Sequence, residues 1–336
     1  MTNEAIEAAK ELLATPKKIV IIPHRNPDGD AMGSTLGLYH FLKYKGHQPT
    51  VISPNEFPDF LSWLPASDTV MTFEADKEKA SGILKEAELI FTLDFNHLGR
   101  TGEQMEQALK DITVPYIMID HHQMPDTYAT VAFSDTAYGS TCEMVYHFIN
   151  AIGESSAIDK TIATCLYTGI VTDSGSFRYP STTGTTHRIV AEFIDKGIDN
   201  SRIHSLLFDN HSPNRIQILA KALQNIKVLP EYNASYTWLS QEELSSFNHA
   251  KGDTEGIVNY GLSIKDIVFT AFFTENKEEG IIKISFRSTG DFDVNKFARQ
   301  YFNGGGHVNA AGGKSTDTLE ATIKKFIATL AEIKKG

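Results

Sequence analysis

Several apolar runs in the first half of the chain stop on the same kind of residue. KIVIIP (18–23) empties into HRNPDGDAMGS (24–34), ELIFTLD (88–94) ends on Asp94, and VPYIMID (114–120) ends on Asp120, followed by His121 and His122. Short apolar runs rich in branched residues read as strands buried on both faces. TVISP (50–54) reads as another, and 31–45, 76–87 and 102–110 read as helices between them. Strand alternating with helix predicts a parallel sheet covered on both faces, with ligand groups gathered outside the carboxyl ends of its strands. The acids and histidines are therefore expected to meet at one edge, although they lie far apart in sequence.

Each has an ordinary reading when taken alone. Asp and Asn after a strand often cap the next helix, and Asp-Gly and Asn-Pro are common turn dipeptides. Together they are harder to dismiss. His24, Asp28, Asp30, Asp94, Asp120, His121 and His122 share the expected edge, and Asp173, in TDSGSFRY (172–179), follows an apolar helical run that can approach it. So many carboxylates repel one another unless a cation lies among them. Calcium in an EF-hand fails on spacing: a loop begun at Asp28 puts Met32 at its fifth position and Tyr39 where the bidentate Glu belongs. Histidines mixed with carboxylates suit a transition metal better, manganese first, and paired ions suit displacement at phosphorus.

Helical patterns fill 139–226 (STCEMVYHFINAI, DKTIATCLYTGIV, THRIVAEFIDKG, NRIQILAKALQNI), and the pattern then changes. ASYTWLS, IVFTAFF and GIIKISFRS read as strands of a second sheet, with helices near 293–302 and 316–334. The expected organisation is a first domain over 1–190, a helical linker over 191–227 and a smaller α/β domain with a mixed sheet over 228–336. A length of 336 residues accommodates two cores. Thirty-one Lys and Arg against 42 Asp and Glu give a net charge of −11, which excludes a long duplex held by general attraction. The acidic, amphipathic start lacks the order of a signal peptide, and no run nears the ~20 apolar residues of a membrane span. The two cysteines, Cys142 and Cys165, have no zinc or redox spacing and read as core residues of a cytoplasmic protein.

NPDGDAMGS after a strand, the single acid of TLDFN, the tripeptide DHH after a strand, and a later TDSGSFRY occur in that order. Together they resemble the DHH phosphoesterase superfamily, and GGGHVNAAGG (304–313) resembles the DHHA1 domain that accompanies it. The likeness runs from about residue 18 to 330 and is similar to the bacterial nanoRNase and pAp-phosphatase branch. It implies two α/β domains with the active-site cleft between them. It also implies two divalent ions, with manganese favoured over magnesium or cobalt. One would be held by His24, Asp28 and Asp94 and the other by Asp30, Asp94, His121 and Asp173, with Asp94 bridging. His122 would give the leaving group its proton, and Asp120 would orient the histidines. Asp94, His122 and Asp120 are thus the implied catalytic residues.

The implied reaction is hydrolysis of short oligoribonucleotides such as pApA to mononucleotides, and of 3′-phosphoadenosine 5′-phosphate (pAp) to AMP, by two-metal activation of water. FNGGGHVNAAGG (302–313) has two readings of its own. Gly304, Gly305 and Gly306 let backbone N–H groups approach a phosphate, with His307 as a further donor and a helix beginning after them; or they make a tight, closely packed turn. The resemblance places Arg287, at the end of SFRS, near a substrate phosphate, and Arg100 in NHLGR is a second cation for that duty. Cyclic di-AMP or linear dinucleotide phosphodiesterase, inorganic pyrophosphatase or exopolyphosphatase, and a non-catalytic nucleotide sensor are the competing readings. No membrane partner is expected, and the oligomeric state stays open, a homodimer included.

Overall fold

The structure is a computed structural model that describes residues 2–250 and 252–333. The chain divides into two compact units, the first ending at Asn210 and the second beginning at His211. The division falls within the stretch expected as a helical linker.

The first unit runs α1 (Asn3–Leu12), β1 (Lys18–Pro23), α2 (Gly29–Tyr44), β2 (Gln48–Ser53), β3 (Met71–Thr72), α3 (Lys77–Glu86), β4 (Leu89–Leu93), α4 (Glu103–Lys110), β5 (Tyr116–Asp120) and β6 (Val131–Ser134). It continues through α5 (Thr141–Ala151), α6 (Lys160–Asp173), α7 (Gly184–Asp195) and α8 (Asn200–Phe208). Every strand pair is parallel, in the order β3-β2-β1-β4-β5-β6. Alternation along β1 explains why helices cover both faces. Ile19 and Ile21 join a core with α2, α5 and α6, while Val20 and Ile22 join a second core with α3 and α4. The expected strands are present within a few residues. The edge strands β3 and β6 were not foreseen, because two and four residues give too little periodicity to read.

The second unit contains α9 (Pro213–Gln224), β7 (Lys227–Leu229), β8 (Ala234–Leu239), α10 (Gln241–Ser246), α11 (Asn259–Leu262), β9 (Phe269–Asn276) and β10 (Ile281–Ser288). After these come α12 (Val294–Tyr301), β11 (Gly305–Gly306), β12 (Ala310–Ser315) and α13 (Leu319–Ile333). Its sheet is mixed, ordered β11-β12-β10-β9-β8-β7, with β8 and β9 parallel and the other neighbours antiparallel. Phe269, Phe273, Phe286, Phe297, Phe302 and Phe326 form an aromatic core on one face, and α9 and α10 cover the other with Ile218, Ala222 and Leu244. One expectation fails here. The residues after the glycine run form strand β12 rather than a helix, because Ala310–Ser315 pairs antiparallel with β10 from Arg287 to Ile282. Among the described residues no helix is long and apolar enough to cross a membrane.

Candidate metal centre

The strand order reverses direction between β1 and β4, the position where open α/β sheets bind ligands. His24 follows β1 directly, Asp94 follows β4, and Asp120, His121 and His122 close β5. Asp28 is both a cap and a site residue. Its Oδ1 accepts the Asp30 and Ala31 N–H groups at the start of α2, at 3.0 and 3.1 Å, and its Oδ2 lies 3.8 Å from His24 Nε2. Asp94 has φ +65°, a left-handed conformation that non-glycine residues adopt at a cost and that is common at functional sites.

Asp173 reaches the same place through helix packing. α2 carries Gly29, Gly33 and Gly37 at four-residue spacing, one face of the helix, and this face lies on α6. A Cβ at Gly33 would stand 2.5 Å from the Cys165 carbonyl oxygen, and one at Gly29 would stand 2.5 Å from Thr172 Oγ1. The two helices run antiparallel at this close approach, so the C-terminal residue of α6, Asp173, comes beside the first turn of α2.

These elements build two donor sets that share one carboxylate. Asp94 Oδ2 lies 3.4 Å from His24 Nε2, and Asp94 Oδ1 lies 3.4 Å from His121 Nε2. His121 Nε2 is also 3.3 Å from Asp173 Oδ2 and 3.8 Å from Asp30 Oδ2. Potential ligand atoms of His24, Asp28 and Asp94 all fall within 4.8 Å of one another, as do those of Asp30, Asp94 and His121. Asp30 is fully buried and Asp94 nearly so.

The chemistry of these donors fits a cation. His24 Nδ1 lies 2.8 Å from the Arg25 carbonyl and His121 Nδ1 lies 3.2 Å from the Tyr138 carbonyl, so in each ring Nε2 is the atom turned on the acids. A neutral imidazole and a carboxylate both offer lone pairs there, and a proton or a metal ion must lie between them. The protonation balance reflects this. Burial lowers the pKa of His121, but Asp173 and Asp94 outweigh it and hold it well above the ordinary value. His24 is raised as well: burial opposes, and Asp94 and Asp28 prevail, with the Arg100 charge working against them. Burial and then Asp94 and Asp173 push Asp30 well above the usual carboxylate range. Asp94 is driven well below it, because His121 and His24 overcome its burial.

His122 stands beside these sets. Its Nδ1 is 2.7 Å from Asp120 Oδ1, its backbone N–H donates to Asp120 Oδ2 at 2.9 Å, and Asp94 Oδ1 is 3.7 Å from Nδ1. Sequence reasoning missed the supports. Asn96 Nδ2 donates to the His122 and Gln123 carbonyls and holds the DHH loop. The N–H groups of Thr141 and Cys142, at the start of α5, donate to the two oxygens of Asp30, and the Thr141 hydroxyl donates to Asp94. Ser140 caps α5 by accepting from the Glu143 N–H, and nothing in that stretch points to an acid 111 residues away.

The second unit carries the remaining candidates. Arg287 lies on β10 opposite Ala310, and the His307 N–H donates to the Ala310 carbonyl at 2.7 Å, so both flank the start of β12. A Cβ at Gly304 would overlap the Gly312 carbonyl oxygen, so close packing requires that glycine. The Gly304 N–H donates to the Ala298 carbonyl and the Gly306 N–H to Asn295 Oδ1.

Residues 18–170 match the family model described as the DHH family, N-terminal domain, and residues 235–336 match the DHHA1 domain. The chain belongs to the DHH/DHHA1 phosphoesterase superfamily. The DHH match takes in His24, Asp28, Asp30, Asp94 and His121, Asp173 lies just past its end, and Arg287 and His307 lie in the DHHA1 domain. A solved exopolyphosphatase-related protein from Bacteroides fragilis is 40% identical, with a TM-score of 0.94 over 99% of this chain and 97% of that one. The Bacillus subtilis bifunctional oligoribonuclease and PAP phosphatase NrnA is 28% identical over 88% of this chain and 88% of its own length. The Thermus thermophilus protein of the same name is 28% identical over 98% of this chain and 94% of its own.

Proposed function

We propose that this chain is a manganese-dependent phosphoesterase that hydrolyses short oligoribonucleotides such as pApA to mononucleotides and dephosphorylates pAp to AMP. The observation that carries the reading is the division of the Asp94 carboxylate between two donor sets, one oxygen facing His24 and the other His121. The names of the Bacillus and Thermus relatives support the substrate class.

His24, Asp28 and Asp94 would hold one divalent ion and Asp30, Asp94, His121 and Asp173 a second, with manganese suited to this donor mix and magnesium or cobalt as substitutes. Such ions supply Lewis acidity toward phosphoryl oxygens and lower the pKa of bound water. The rest falls to the side chains. Asp94, bridging the sets, keeps them a fixed distance apart. Asp120 accepts from His122 Nδ1 and orients the ring so that, in its protonated form, the Nε2 proton goes to the departing ribose oxygen. Arg100, whose charge reaches His24, adds a cation for the substrate phosphate. Arg287, on β10, and His307, directly after the glycines of β11, bind substrate phosphate in the DHHA1 domain. The buried free thiols of Cys142 and Cys165 suit work in a reducing cytoplasm.

The test is turnover with manganese of pAp, pApA, longer oligoribonucleotides, cyclic di-AMP, pyrophosphate and polyphosphate, by the wild type and Asp94→Ala. Release of AMP from pAp and pApA by the wild type alone is expected. Preferred cleavage of pyrophosphate or polyphosphate, or an active Asp94→Ala, overturns the reading.

A further inference from the structure

The first turn of α5 touches both donor sets through one residue. Thr141 is fully buried, its N–H donates to Asp30 Oδ2 at 2.6 Å, and its hydroxyl donates to Asp94 Oδ1 at 2.9 Å. The Cys142 N–H takes the other oxygen of Asp30 at 2.9 Å. Asp30 is thereby gripped by backbone at a helix N-terminus, whatever the side chain at 141. Asp94 is held differently, through a hydroxyl that a single substitution can remove.

We infer that Thr141 is a positioning residue whose hydroxyl sets the rotation of the Asp94 carboxylate, committing Oδ1 to the His121 set and Oδ2 to the His24 set. The inference rests on the metallo-phosphoesterase reading and extends it to a residue outside the ligand sets. The terminal torsion of an aspartate is broad, so its own rotamer preference does not orient the carboxylate plane. A carboxylate shared between two sets must hold that plane, since a quarter turn takes both oxygens away from both histidines. The hydroxyl occupies one lone pair of Oδ1 and leaves the other facing His121 Nε2, 3.4 Å away. Thr141 opens α5, so no earlier turn of that helix offers its hydroxyl a carbonyl. The geometry turns the hydroxyl to an acid 47 residues away instead.

The experiment titrates the full-length protein with Mn²⁺ alone, by calorimetry and by electron paramagnetic resonance. Thr141→Val keeps the shape and removes the hydroxyl; Thr141→Ser keeps the hydroxyl and removes the methyl. Each is also made in a His24→Ala background, which disables the first set, and an Asp173→Asn background, which disables the second. With Thr141→Val, affinity is expected to fall about 10- to 100-fold at both sets, and the spin-coupled signal of a manganese pair to disappear. Thr141→Ser restores both affinities and the signal. Unchanged binding in Thr141→Val, loss confined to one set, or a Thr141→Ser as impaired as Thr141→Val overturns the positioning role. A wild type that takes up no Mn²⁺ overturns the metallo-phosphoesterase reading itself, and the inference with it.

Discussion

Gly33 of α2 lies so near the Cys165 carbonyl of α6 that a β-carbon there would stand 2.5 Å from the oxygen. Backbone blocks the added atom, so no side-chain rotation relieves the overlap. Gly33→Ala therefore has to push the helices apart at the contact that sets Asp173 beside Asp30. Overpacking of this kind costs about 1–3 kcal/mol, and the shift should weaken Mn²⁺ binding at the His121 set before the His24 set. Thermal melting and the site-resolved Mn²⁺ titration check this together. A Gly33→Ala protein with wild-type melting and affinity would show that the spacing tolerates a methyl group.

Asp120 supports a second prediction. It is fully buried and spends both oxygens on His122, one on the backbone N–H and one on Nδ1. Asn at 120 accepts only one of those hydrogen bonds and turns an NH₂ toward the other donor. Loss of an oriented general acid typically costs about 100-fold or more in kcat, and Asp120→Asn should show that loss with Mn²⁺ affinity little changed. Ligand atoms of Asp94, Asp120 and His122 also cluster closely. If Asp120 held metal itself, the substitution would instead lower Mn²⁺ affinity, so measuring affinity beside kcat separates the two roles.

The positions of these groups were readable from sequence to different depths. His24, Asp94, Asp120, His121 and His122 could be placed at one edge because a buried parallel strand has a distinctive composition and its carboxyl end a known fate. Asp28 read as a cap or a ligand, and the cap proved compatible with the site, since one oxygen serves each purpose. Asp173 is harder to place. It depends on how closely α2 and α6 approach, and Gly29, Gly33 and Gly37 record that closeness only once the partner helix is known. The clamp on Asp30 had no signature at all, because backbone N–H groups are the same in every residue but proline. In the second unit, the residues after Gly306 read as the start of a helix and became strand β12 through pairing with β10.

Glu243 offers a test of how the second unit is held. It sits in a capping box with Ser240, accepts from Asn225 Nδ2, and lies 3.2 Å from Lys221 Nζ. Burial raises its pKa, but the Ser240 N–H, Asn225 and Lys221 outweigh that and hold it below the ordinary value. A carboxyl depressed on folding stabilises above its unfolded pKa of about 4.3, and the contribution is lost as pH falls through the lower, folded value. Glu243→Gln keeps the capping geometry and removes the charge. It should cost about 0.5–1 kcal/mol at pH 7, as a partly exposed ion pair is screened, and the difference should fade below about pH 4. Urea unfolding of the full chain, followed by Trp238 fluorescence with Trp63→Phe removing the first unit's signal, measures it. A gap that stays constant with pH would assign the effect to packing rather than charge.

Arg287 and His307 carry the proposal that the DHHA1 domain binds substrate phosphate. Arg287 is half-buried on β10, the backbones of both residues flank Ala310, and under the proposal the phosphate meets a guanidinium and an imidazole. Neither belongs to the donor sets around Asp94. Arg287→Ala should therefore raise KM for pApA by about tenfold or more, the worth of one charge-assisted hydrogen bond, with Mn²⁺ affinity unchanged. His307→Ala should act in the same direction by a smaller factor, because it removes one donor rather than a fork. Steady-state kinetics on pApA and on pAp give the comparison. Unchanged KM in Arg287→Ala would remove this arginine from the substrate site. A fall in kcat alone would point to a contact made only in the transition state.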